Sequence, residues 1–183
     1  GVTFIIITGG IDLSLGSVMM CAALLGGYAF KQGWPLVLAI VLTLFVGIAF
    51  GFANGVLIAK LKLPPFIATL GTMQIFRSVT QHLTQHANPS VPKGFLQIAN
   101  LKIGSFYIMP ILYWLAIAAV LYVVSKRTTF GRHVFAVGSN IRTARLSGIN
   151  VNKVKRRIYM LTGMLVAIAA ISLEMLARLQ ATE

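Results

Sequence analysis

Residues 36–58 run for 23 positions without a charged side chain. A bilayer-crossing helix needs about 20 mostly apolar residues, and few other structures can use such a stretch. Residues 106–125 supply 20 more uncharged positions and residues 13–30 supply 18. Residues 1–11 extend the latter stretch upstream, with one acid, Asp12, between them. Residues 158–173 add 16 before Glu174, and residues 63–76 add 14 that open on Leu63-Pro64-Pro65. Hydrophobic residues make up 57% of the 183, charged residues only 10%, and the mean hydropathy is +0.86. Soluble domains carry about 25% charged residues, which excludes a soluble globular enzyme. No alternating barrel pattern is present, so backbone satisfaction in lipid leaves helices. The expectation is an all-α, polytopic membrane protein with five spans.

Sixteen Lys and Arg oppose three acids, a net charge of +13. Nine of the sixteen fall in residues 126–157, which contain no acid. The positive-inside rule puts that segment in the cytoplasm. Lys60 and Lys62 mark a second cytoplasmic loop, and the five spans then alternate consistently. Residues 1–9 lack the basic leader and the cleavage site of a signal peptide. The chain opens without Met and stops soon after an apolar span. It is therefore expected to be a piece of a longer protein, a single transmembrane domain over 1–183 lacking helices at both ends. Cys21, the lone cysteine, excludes a disulfide framework and a thiolate metal site.

The segment Thr8-Gly9-Gly10-Ile11-Asp12-Leu13-Ser14 interrupts the first apolar stretch. Paired glycines weaken a helix, and Asp12 or Ser14 can cap the helix that follows by accepting from its free N–H groups. An intramembrane acid faces protein or a water-filled path, and broken helices line transport pathways. Asp12 thus either contacts a ligand or caps a half-helix. In the second span Ala39, Thr43, Gly47, Gly51 and Gly55 recur every four residues, a ridge that admits another helix closely. Asn54 lies beside it and can bond across. Pro64-Pro65 suits the first turn of a helix, and Thr69, Thr72 and Gln74 point that helix toward the bundle interior. Glu174 and Arg178, four apart on one helical face, are expected to form a structural pair.

His82 and His86 share i, i+4 spacing but have no third ligand near, so no metal site is expected. Catalytic Ser/His/acid sets, paired carboxylates and a phosphate-binding loop are all missing, so no enzymatic activity and no cofactor are expected of this chain. Within 126–157, Phe130, Phe135, Leu146 and Ile149 exceed what a solvated basic loop needs. Asn140 can cap a short helix ending before Gly148, which gives a basic, partly apolar element for a partner or for anionic lipid.

These motifs occur in a familiar order: Thr8-Gly-Gly-Ile-Asp-Leu-Ser-Leu-Gly-Ser17, Asn54-Gly55, Leu63-Pro-Pro-Phe-Ile-Ala-Thr-Leu-Gly-Thr-Met73, Thr129-Phe-Gly-Arg132, Ala136-Val-Gly-Ser-Asn140 and Ala144-Arg-Leu-Ser-Gly-Ile-Asn-Val151. The chain resembles the permease subunit of bacterial ATP-binding-cassette sugar importers of the ribose/galactoside/xylose type. Ser139 stands where glycine is common. The resemblance implies a multi-pass protein of the bacterial cytoplasmic membrane, paired with a second permease subunit and embedded in membrane lipids. It implies separate ATPase subunits that bind the ATP, an extracytoplasmic sugar-binding protein, and no nucleic acid. It makes residues 126–157 the coupling loop, with Asn140, Arg142, Ala144, Arg145, Leu146, Ser147, Gly148 and Ile149 docking on the ATPase. Thr8, Gly9, Gly10, Asp12, Ser14, Asn54 and Thr69 are the candidates for the translocation path or its support; Gly47, Gly51 and Gly55 are the packing residues. A permease for nucleosides, autoinducer-type sugars or branched-chain amino acids uses the same machinery. Other classes are a secondary transporter with Asp12 as ion site, or a tethered nucleic-acid binder using the nine basic residues.

Overall fold

The computed structural model describes residues 1–84, 102–103, 106–107 and 109–181, with side chains at 1–82 and 111–173. The described part is almost wholly helical. A short α1 (Val2–Ile7) leads through an irregular segment into α2 (Leu15–Lys31), followed by α3 (Leu36–Ala59) and α4 (Pro65–Thr84). A two-residue antiparallel pair, β1 (Lys102–Ile103) with β2 (Phe106–Tyr107), precedes α5 (Met109–Arg127). Then come α6 (Thr129–Ser139), α7 (Ile141–Leu146) and α8 (Val151–Ala181).

The all-α membrane architecture stands, while five full spans is too generous by length and composition. Among the described residues, α3 and the first 23 residues of α8 are long and apolar enough to cross a bilayer. A third span is available if Ile111–Arg127 and Thr129–Ser139, bent by 72°, count as one. The first expected span is shortened because the break consumes Leu13 and Ser14, leaving α2 as an apolar helix of 17 residues. The helix that contains the third expected span, α4, also carries Gln74, Arg77 and Gln81, which dilute its apolar character. Residues 106–107 sit in β2, so the fourth span starts later than its hydropathy implies.

The basic segment 126–157 also departs from a loop. It is helical almost throughout, because side-chain caps restart the helix three times. Thr128 accepts from the Gly131 amide at 3.2 Å, Asn140 accepts from the Arg142 and Thr143 amides at 2.9 and 3.1 Å, and Asn150 accepts from the Lys153 amide at 3.0 Å. The expected Asn140 cap is therefore present. Its helix ends at Gly148, whose φ of 78° is a conformation that favours glycine. The unexpected helix is α6, whose Gly131, Val134 and Val137 are buried three apart.

The core is organised by α3 and α8, the most extensive helix contact in the fold. The ridge of small residues serves two partners rather than one. At its upper end Ala39 and Thr43 receive α2 at Gly26, where an added Cβ would collide with the Thr43 hydroxyl. At its lower end Gly47, Gly51 and Gly55 receive α8. A Cβ on Gly47 would sit 2.5 Å from the Gly163 carbonyl oxygen, and one on Gly55 would sit 2.9 Å from the Arg156 Cα. At Gly51 it would collide with the Tyr159 carbonyl oxygen. Backbone therefore packs on backbone, a contact only small residues permit. On α4, Thr69, Thr72, Phe76 and Thr80 form the buried face. Gln74 lies off that face and is exposed, contrary to expectation. The Glu174–Arg178 pair and His86 fall outside the residues whose side chains are described.

The α3–α8 contact gives a direct test. Gly51→Leu in the full-length protein is expected to destabilise it by about 1–3 kcal/mol through overpacking. Phe45→Trp, on an exposed face of the same helix, is expected to change little. Detergent melting curves that move equally for both variants would refute the packing role.

Candidate functional site: the break between α1 and α2

The glycines at the break have separate reasons. Thr8, Gly9 and Gly10 close α1 in a Schellman arrangement: the Gly9 amide donates to the Ile6 carbonyl at 3.0 Å and the Gly10 amide to the Ile5 carbonyl at 2.9 Å. Gly9 has φ 72° and open space around it, so conformation demands glycine there. Gly10 is required by room, since a Cβ would approach the Ile5 Cγ2 at 2.9 Å and the Tyr159 hydroxyl at 3.0 Å. Thr8 turns its hydroxyl to the Phe4 and Ile5 carbonyls, both at 3.1 Å. It thus satisfies the end of α1 rather than joining the polar cluster beyond it.

That cluster is a chain of hydrogen bonds. Asn54 Nδ2 donates to Ser14 Oγ at 2.8 Å. Ser14 Oγ donates in turn to Asp12 Oδ1 at 2.6 Å, and the Ser14 amide reaches the same oxygen at 2.9 Å. The arrangement corrects the simple capping expectation. Ser14 is the N-cap of α2, yet its side chain makes no cap bond. Asp12 accepts from the amide of the cap residue rather than from the first turn of the helix. The physical reason is competition: a hydroxyl proton gains more from a carboxylate oxygen than from a neutral acceptor, which turns the serine away from α2.

Two further helices hold the irregular backbone. Thr69 Oγ1 on α4 accepts from the Leu13 amide at 3.2 Å while donating to the Pro65 carbonyl at 2.8 Å. Tyr159 on α8 donates to the Ile11 carbonyl at 3.4 Å. Side chains from α3, α4 and α8 thus supply partners for a segment that has left helical geometry, as a buried non-helical backbone requires. Ser14, Asn54 and Thr69 are almost completely buried, and Asp12 is half-buried. Asn54 Oδ1 is buried with no partner among the described residues.

Tyr159 escaped the sequence reading. A signal existed: Tyr159, Gly163 and Ala167 recur every four residues, which puts a phenol on the small-residue face that meets α3. The helix end matters too. Asn54 lies five residues before the end of α3, Thr69 four after the start of α4, and Tyr159 eight after the start of α8. The break therefore sits near the end of the bundle that carries the basic segment.

The basic segment touches the break itself. Phe130 of α6 meets Phe4 of α1 edge to face, with ring centroids 6.0 Å apart. Gly138 packs directly on the Ile7 carbonyl. A cleft of about 430 Å³ between them is lined by Ile6 to Gly9 at the end of α1 and by Val137 to Arg142 at the junction of α6 and α7. The apolar residues of this segment divide by role: Phe130 and Ile149 pack on the core, and Ala144 is buried. Phe135 is exposed, and Leu146 is 90% exposed at the tip of α7. Arg142, Arg145, Ser147 and Gly148 are exposed around it. Among the described residues no three His, Cys, Asp or Glu group together for a metal.

The chain matches the family described as branched-chain amino acid transport system / permease component over residues 1–178. It belongs to that family of membrane permease components. It is 39% identical to the ribose import permease protein of Bacillus subtilis (strain 168) over 173 residues, 92% of this chain and 53% of that one. It is 36% identical to the fructose import permease protein of Rhizobium meliloti over 178 residues, 91% of this chain and 49% of that one. With the autoinducer 2 import system permease protein of Klebsiella pneumoniae it shares 35% over 176 residues, 92% of this chain and 53% of that one. The chain spans about half the length of the curated relatives it matches. No solved structure matches it.

The hydrogen-bond chain makes a measurable prediction. Ser14→Ala leaves Asn54 Nδ2 without an acceptor, and is expected to cost about 1–3 kcal/mol. Adding Asn54→Leu to it is expected to cost less than the sum of the two single changes. Strict additivity in detergent unfolding would show that the two side chains act separately.

Proposed function

We propose that this chain is part of the membrane-spanning, non-catalytic permease subunit of an ATP-binding-cassette importer in the bacterial cytoplasmic membrane. Its cargo in this reading is a monosaccharide of the ribose type, in keeping with the sugar import permeases among its relatives. ATP is bound and hydrolysed by separate subunits, the sugar is delivered by an extracytoplasmic binding protein, and a second permease subunit completes the path. The observation that carries the reading is the packing of α6 on α1. The exposed tip around Leu146 belongs to the same short run of helices as Gly138, which presses on the last turn before the break. A displacement of α6–α7 by a docked ATPase therefore moves the backbone that presents Asp12.

The residues take distinct parts. Leu146, with Arg142 and Arg145 around it, offers an apolar knob in a basic rim to the ATPase. Asn140 and Gly148 fix the ends of α7 so that the knob is presented rigidly. At the break, Ser14 and Asn54 orient the Asp12 carboxylate through Oδ1, which leaves Oδ2 to accept a hydroxyl from a neutral sugar. Thr69 and Tyr159 hold the backbone on either side.

Two variants in the full-length transporter test this. Leu146→Asp is expected to abolish ATP-dependent uptake, leave membrane insertion intact and reduce recovery of the ATPase subunit on purification. Asp12→Asn is expected to retain complex assembly but alter sugar uptake or selectivity, with Asp12→Ala more severe. Wild-type uptake with normal complex recovery in Leu146→Asp would overturn the coupling role. Wild-type uptake in Asp12→Ala would remove Asp12 from the path.

A further inference from the structure

A second cleft, of about 580 Å³, opens where the end of α3 and the Lys62–Pro65 turn face α7 and the start of α8. Its volume lies in the range of small-ligand sites. Three cations line it, Lys62, Arg145 and Lys155, and no acid does. They come from three separate elements, so the fold gathers them. Arg145 lies near enough to Lys155 for their like charges to repel. Lys155 is also half-buried, and removing a cation from water without a partner is unfavourable. Lys62 stands in the left-handed region at φ 57°, the one non-glycine residue with positive φ among those described. Glycine or asparagine holds that conformation more easily than lysine. Folding thus gathers positive charge at some cost, and an anion bound between the three groups would offset it.

The walls indicate the source of the anion. Leu63, Pro64 and Pro65 form one side, and the next two residues along α4, Phe66 and Ile67, are exposed apolar side chains. A basic pocket thereby continues into an apolar surface at the ends of membrane helices, a sequence of environments that matches a headgroup followed by an acyl chain. We propose that this cleft binds the phosphate headgroup of an anionic phospholipid from the adjoining leaflet, with Lys62, Arg145 and Lys155 around the phosphate and the α4 flank beneath the chain. The site is independent of which solute the permease carries.

The test uses the full-length permease purified in detergent, titrated with phosphatidylglycerol or phosphatidylcholine and followed by native mass spectrometry and thermal melting. Phosphatidylglycerol is expected to bind and raise the melting temperature in the wild type, an effect reduced by high salt. Removing cations by Lys62→Asn, Arg145→Gln and Lys155→Gln is expected to weaken binding by about fivefold each. Lys153→Gln with Arg157→Gln removes two cations outside the cleft and is expected to leave binding near wild type. Lys62→Asn alone keeps the test decisive if the other cleft variants do not fold, because asparagine tolerates the left-handed backbone. Equal losses in the cleft and control variants would overturn the site, as would unchanged binding in Lys62→Asn. Stabilisation by free glycerol 3-phosphate equal to that by the lipid would assign the cleft to a soluble phosphate instead. Loss of the ATPase subunit from Lys62→Asn and Lys155→Gln with lipid binding intact would assign it to an acidic protein surface.

Discussion

The rest of the structure depends on the approach of α3 to α8. Gly47, Gly51 and Gly55 on one helix meet the backbone at Gly163, Tyr159 and Arg156 on the other. Lipid offers helices no hydrophobic drive to associate, so close packing must supply the attraction. The same closeness positions the polar groups. Asn54 is next to Gly55, and Tyr159 is opposite Gly51, so the contact that joins the helices also delivers an amide and a phenol to the α1–α2 break. A bulkier residue in the ridge would part the helices and withdraw both.

At the break the protein tolerates irregular backbone by surrounding it with donors and acceptors. Ile11 and Leu13 find partners on α8 and α4, and Ser14 finds one on α3. Asp12 has its orientation imposed by Ser14, which leaves part of the carboxylate uncommitted. Three helices therefore register the position of one segment. The fourth influence is α6, which touches α1 through Gly138 and Phe130. Packed interiors deform little, so this contact fixes α1 against α6.

The basic segment has two faces with different chemistry. Leu146 and Phe135 project outward, whereas Ala144, Val134 and Val137 turn toward the core. On the side of the Lys62–Pro65 turn the same segment contributes Arg145 to a cationic cleft. The two proposed contacts meet at Arg145, which lies beside the exposed Leu146 and also lines the cleft. The fold thus also gathers the basic residues, bringing Arg145 together with Lys62 and Lys155 in one cleft.

The sequence by itself determined the membrane class, because uncharged runs such as residues 36–58 cannot be accommodated in water-exposed folds. It also disclosed the Asn140 cap with its Gly148 stop, the helix start at Pro65 and the ridge of small residues, since caps and four-residue spacings act within one helix. Membership of the permease family was legible for the same reason: its motifs are short and local. Other features depended on contacts between residues far apart in the chain, and only the tertiary structure decided them. The ridge splits between α2 and α8, a division that spacing along one helix cannot reveal. The Ser14 hydroxyl donates to Asp12 and accepts from Asn54, forty residues away, so its side chain does not cap α2. Tyr159 reaches Ile11 across 148 positions. The apparent loop 126–157 becomes helical because Val134, Val137 and Gly138 find a packing surface on α1 and the core. Local propensity names the segments that can fold; the partners available in three dimensions choose which polar groups are paired and which charges are gathered.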